Sequence, residues 1–128
     1  VGMLETVKNH PHYTAPLTGE NQGRGLAYTI WFNLGEASSA QISVNADGSV
    51  QVTTASPDMS GTRMTFAMQA AEALGIDVEH VTASVGDTDA VGFTLPTVGS
   101  RTTYAVGSVI CDIAQDVLKE MSARVALL

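Results

Sequence analysis

The sequence predicts a two-layer α+β unit in which a small β-sheet is covered by two helices. Three observations carry this: a pair of alternating segments joined by an Asp-Gly turn, an alanine-rich helical segment closed by glycine, and a long amphipathic helix near the end. At 128 residues the chain is long enough to bury one core but not two.

Residues 1–25 carry Pro11, Pro16, Gly19, Gly23 and Gly25 and little periodicity, so they read as an irregular lead-in, with the folded segment at 26–128. The run LAYTIWFNL over 26–34 is apolar and aromatic enough for a buried first strand, with one of Trp31 and Phe32 in the core and the other facing out. Residues 39–45 and 50–56 alternate with period two around Ala46-Asp47-Gly48-Ser49, which predicts a hairpin. Pro57 ends the second arm. Residues 61–74 are rich in helix formers and stop at Gly75, a residue suited to a helix C-cap. VTASVGD at 81–87 reads as a fourth strand running into a loop at 87–99. From about Ser100, the residues Val106, Ile110, Ile113, Val117 and Met121 recur every three or four positions, the mark of an amphipathic helix.

The formal charge of −7 argues against a non-specific grip on nucleic acid or an anionic membrane. A single cysteine, Cys111, rules out an internal disulfide or a cysteine-built metal cluster within the chain; its place near the core stripe makes it a small buried hydrophobe. No apolar run approaches the ~18 residues of a membrane span, and no secretory signal pattern is present. The chain begins at Val1 without an initiator methionine and stops within an apolar helical pattern at Leu127 and Leu128, so both ends read as cuts.

The chemistry-bearing feature is a repeat. Gly61-Thr62-Arg63-Met64-Thr65-Phe66-Ala67 and Gly99-Ser100-Arg101-Thr102-Thr103-Tyr104-Ala105 both read G-[ST]-R-x-T-[FY]-A, and each opens a predicted helix. At such a start the first N–H groups lack intrahelical partners and the peptide dipoles favour negative charge. Glycine permits close approach, Ser or Thr can cap or donate, and arginine offers a planar fork for phosphate oxygens. The candidate cofactor-binding residues are therefore Ser60, Gly61, Thr62, Arg63, Gly99, Ser100, Arg101 and Thr102. The competing reading makes the hydroxyls plain N-caps and pairs the arginines with acids such as Asp58 or Asp87.

Other polar groups read as structural. His10-Pro11-His12 lacks a third ligand and fits an exposed loop. His80 fits the surface, Asp87-Thr88-Asp89 fits an Asx-held turn better than a cation site, and Glu72 fits a solvent-facing helix position.

Gly23 to Arg124 resembles the molybdopterin-binding region in the large subunit of the xanthine dehydrogenase/aldehyde oxidase family of molybdenum hydroxylases. The matching residues are Gly23-Arg24-Gly25-Leu26-Ala27, Ser39-Ala40, Asp47-Gly48, Asp58, Ala70-Ala71-Glu72-Ala73-Leu74-Gly75-Ile76, Gly86-Asp87-Thr88-Asp89, Gly99-Ser100-Arg101-Thr102-Thr103 and Gly107. The family's loop D-[IM]-G-Q-G-x-x-T corresponds here to Asp58 through Thr65. Ser60, Gly61 and Thr62 stand where it has Gly, Gln and Gly, which is similar to the G-[ST]-R form of the carbon monoxide dehydrogenase-like branch. The resemblance implies a cofactor-holding segment of an oxidoreductase that oxidises an aldehyde, N-heterocycle or similar carbon centre, with water as oxygen source. It implies a molybdopterin, in dinucleotide form, held in the parent enzyme and not retained by this segment alone. The base, a glutamate of a later G-x-G-E segment, and the iron–sulfur and flavin partners would lie on other domains or subunits, so no catalytic residue is expected here. A cytoplasmic location is the expectation, a periplasmic one the alternative. Against this stand a non-catalytic module for a phosphorylated ligand and a purely structural domain.

Overall fold

A computed structural model describes residues 2–127; Val1 and Leu128, the outermost of the two ends read as cuts, lie outside the described residues. The chain divides into two compact units, Val1–Trp31 and Phe32–Leu128.

In the first unit the lead-in is more regular than its prolines and glycines imply, with helix α1 over Gly2–Lys8 and the single turn α2 over Pro11–Thr14. Proline begins α2 because its missing N–H falls where a helix has no partner for one, and the His10 Nδ1 accepts the His12 N–H at 3.1 Å. The predicted first strand over 26–34 is absent. Leu26, Ile30, Trp31 and Phe32 are all exposed, so neither aromatic is in the core. Apolar content alone made that segment look like a strand, but a strand also needs an edge to pair with.

The second unit holds a three-stranded sheet in the order β1 (Ala40–Val44), β2 (Val50–Thr54), β3 (Val81–Val85). The first pair is the predicted hairpin, antiparallel with Ile42 opposite Val52. Its turn works as the Asp-Gly pair requires: Gly48 takes φ 85°, and the Asp47 carboxylate accepts the Ser49 N–H at 2.9 Å. Between β2 and β3 runs helix α3 (Thr62–Leu74), a crossover that makes those two strands parallel. Gly75 ends α3 at φ 74°, and the N–H groups of Gly75 and Ile76 return to the carbonyls of Glu72 and Ala71.

Helix α4 (Gly107–Val125) follows a π-helical turn at Thr102–Val106, so the last helix begins widened. Both helices pack on one face of the sheet. Val50, Val52 and Val81 meet Phe66, Ala67, Ala70, Ala71, Val106 and Ile110 there, the alanines letting α3 lie close. The opposite face carries Gln41, Ser43, Gln51, Thr53, Thr82 and Ser84, with Gln51 Nε2 donating to the Ser84 hydroxyl at 2.8 Å. The architecture is α+β, as the patterning indicates, with, among the described residues, one strand fewer, two short α-helices more and a 3-10 turn at Val78–His80 before β3. Among the described residues, no helix is long and apolar enough to cross a membrane.

Candidate functional site

Strand direction fixes where the repeated loops go. In the parallel pair Thr54 lies opposite Val85, so the loops 55–61 and 86–101 leave the sheet at the same, carboxyl-terminal end. Each runs straight into a helix, whereas the hairpin turn lies at the other end. Open α/β arrangements bind ligands outside the carboxyl ends of their strands, where connecting loops part and helix starts converge.

In the first loop Ser60 and Gly61 both take left-handed backbone, φ 55° and 80°. A Cβ on Gly61 would meet nothing within 4 Å, so the space before it is open. Asp58 reaches across the turn: its Oδ1 accepts the Arg63 N–H at 3.2 Å and the Thr62 hydroxyl at 3.3 Å, and its Oδ2 pairs with Arg63 Nε at 2.9 Å. The hydrogen bond from the Arg63 side chain, helped by its backbone N–H, holds the Asp58 carboxyl below the usual aspartate range. Arg63 is thus engaged as the structural reading expects, on a half-exposed surface.

The second loop is built around Arg101. Its guanidinium, expected from the sequence to face a phosphate, turns inward and is 1% exposed. Nε donates to the Gly35 carbonyl at 2.9 Å, Nη1 to Leu95 at 2.8 Å, and Nη2 to Ala37 at 2.9 Å and to the Ser38 hydroxyl at 2.6 Å, with Glu36 at 3.3 Å. Leu34 N–H to Gly99 O and Leu95 N–H to Ala37 O tie the same two segments, 34–39 and 92–101, into a double layer. Thr102 donates to the Thr97 hydroxyl beneath it. Gly99 and Ser100 stand at the turn with φ 60° and 55°. Their N–H groups, like that of Gly61, make no hydrogen bond among the described residues.

The repeat in sequence and the repeat in backbone are therefore one residue out of step. The left-handed pairs are Ser60-Gly61 and Gly99-Ser100, so Thr62 and Arg101 occupy the same place after them, and both are buried. Arg63 instead corresponds to Thr102. That offset puts one arginine outside and the other inside.

Sequence reasoning missed the acceptors of Arg101, because segment 34–39 carries no motif; its one signal is Gly35-Glu36, where Glu36 takes φ 70°. It also missed the π-turn, which Gln69 clasps by donating to Thr103 O at 3.4 Å while its own Oε1 is buried without a partner among the described residues. The Asp87 carboxylate accepts the N–H groups of Asp89 and Ala90 at 3.0 Å, the Asx turn expected there. His80 and Glu72 are exposed and Cys111 is half-buried. Among the described residues no group of three or more His, Cys, Asp or Glu could hold a metal.

The donor set at the shared end, unpaired backbone N–H groups on left-handed turns with hydroxyls beside them, fits the phosphate and pterin edges of an anionic cofactor. Residues 8–128 match the profile of the molybdopterin cofactor-binding domain family. Among solved structures, a Cu,Mo-CO dehydrogenase in its carbon monoxide reduced state aligns at 29% identity and TM-score 0.59, over 64% of this chain and 10% of that one. Reconstituted CO dehydrogenase from Oligotropha carboxidovorans gives the same figures. Quinoline 2-oxidoreductase from Pseudomonas putida 86 aligns at 28% identity and TM-score 0.56, covering 62% and 10%. The chain thus spans about a tenth of the length of these relatives. No curated protein sequence matches significantly.

Proposed function

This chain belongs to the molybdopterin cofactor-binding domain family, and from that membership we propose that it is the cofactor-holding segment of a molybdenum hydroxylase. The parent enzyme oxidises an aldehyde, N-heterocycle or similar carbon centre, taking oxygen from water and passing electrons to iron–sulfur and flavin partners. The observation that carries this reading is the convergence of two left-handed, helix-opening loops at one end of the parallel strands.

The cofactor's metal supplies the redox chemistry when bound; this chain's residues bind and orient. Gly61, Gly99 and Ser100 offer backbone N–H groups to phosphate oxygens and Ser60 adds a hydroxyl, while Thr102, buried with its hydroxyl on Thr97, holds the second loop in shape. Thr62 and Asp58 hold the first turn in shape. Arg101 acts as a positioning residue whose buried cation organises the second loop from behind. Among the described residues of these two loops, Arg63, tethered to Asp58 but half exposed, is the guanidinium available to a diphosphate, which supports a dinucleotide form of the cofactor.

Metal and nucleotide analysis of the full-length protein that carries this segment tests the reading. Molybdenum and a pterin-linked nucleotide should appear together on denaturation. Their joint absence from protein made in a molybdenum-replete host would overturn it.

A further inference from the structure

The first unit departs from the acidity of the rest. Across the chain acids outnumber Lys and Arg by 13 to 6, yet residues 1–31 set Lys8 and Arg24 against Glu5 and Glu20 and hold two of the three histidines. Of these groups Arg24 and both histidines gather at a pocket of about 360 Å3, whose apolar wall is Val7, Tyr13 and Leu26 and whose polar rim is His10, His12 and Arg24. That size falls in the ~300–1,000 Å3 range of small-molecule sites. No acid lines it.

Arg24 is held but not neutralised. Its Nη1 donates to the carbonyl oxygens of Tyr13 and of Ala15, the latter at 2.9 Å, and among the described residues no carboxylate pairs with it. Two carbonyls on one nitrogen fix the plane of the group and leave the Nε and Nη2 donors, the edge that takes a carboxylate through two parallel bonds. His10 adds a second donor. Its Nδ1 accepts the His12 N–H at 3.1 Å, so in the neutral ring the hydrogen sits on Nε2.

We infer that this pocket binds a small aromatic carboxylate, the carboxylate on Arg24 and the His10 Nε2–H, the flat body against Val7, Tyr13 and Leu26. A dianion is a poorer fit, because the site carries one permanent charge within a chain of net charge −7 and most of its wall is apolar. The inference is independent of the loops at the sheet's carboxyl end.

Benzoate titrated into the 128-residue chain, followed by amide and arginine Nε–H NMR shifts, tests it. Saturable shifts should appear at His12, Tyr13, Arg24 and Gly25, with benzyl alcohol and inorganic phosphate binding roughly tenfold more weakly or worse. Arg24→Gln should weaken benzoate binding by about tenfold or more for loss of a charge-assisted bond. Because Arg24 also tethers two carbonyls, a second variant separates binding from folding. Leu26→Asp, at a half-exposed position, sets a carboxylate on the wall without removing a hydrogen bond and should weaken benzoate comparably. Shifts that never saturate, an equal response to benzyl alcohol, or wild-type affinity in both variants would overturn the site.

Discussion

Two arginines that look alike in sequence do opposite work. Arg101 gives its guanidinium to four carbonyls and a hydroxyl, all inside the protein, so truncating it strands those acceptors and separates segments 34–39 and 92–101. Arg101→Ala should cost about 3 kcal/mol or more, read as a lowered denaturant midpoint, and lysine should recover little because a single ammonium cannot span the five acceptors. Arg63→Ala should leave the midpoint nearly unchanged, since its partner is a surface carboxylate. Its effect is on titration. Folding lowers the Asp58 pKa, so the pair stabilises the fold above the usual aspartate range and that contribution is lost as pH falls through the depressed value. Removing Arg63 should raise the Asp58 carboxyl toward its ordinary value in an NMR titration. The sequence carried both options for these arginines, an anion fork or an ion pair, but not the choice between them. That choice depends on a one-residue offset between motif and backbone, and on carbonyls contributed by a segment some 65 positions away.

At the level of elements, what could be read was what is local. The hairpin was legible in period two and Asp47-Gly48, and α3 in its alanines and terminal glycine, because those signals act within a few residues. Gly75→Ala should cost about 1–2 kcal/mol by forcing a side chain into left-handed backbone, and urea unfolding measures it. Gly107→Ala acts differently. That residue is helical, but its Cβ would come within 2.4 Å of the Gln69 amide that clasps the π-turn. The double variant Gly107→Ala with Gln69→Ala should be more stable than Gly107→Ala alone, and additive effects would show that the two residues do not meet. Residues 26–34 show the limit of pattern reading: apolar content and β-propensity are present, yet whether they become a strand depends on an available edge, which no window of sequence records.

For the whole molecule, family membership was legible because many modest matches in fixed order identify a domain better than any one motif. Of those matches, Asp58, Gly86-Asp87-Thr88-Asp89 and Gly99-Ser100 lie on loops 55–61 and 86–101, which the fold brings to the same end of a parallel pair. The chain corresponds to about a tenth of the length of these relatives. The purified 128-residue chain should therefore retain no molybdenum and turn over neither aldehyde nor purine with a dye acceptor, as metal analysis and a reductase assay would show. The central claim, that an anionic cofactor lies against these loops, is tested most directly at Gly61, whose forward space is open. Asparagine and aspartate both tolerate left-handed backbone and are nearly equal in size, so they differ there in charge alone. In the full-length parent, Gly61→Asn should keep most of the molybdenum and nucleotide, whereas Gly61→Asp should lose roughly tenfold of both through repulsion of the phosphates. Equal, wild-type cofactor content in the two variants would contradict the account.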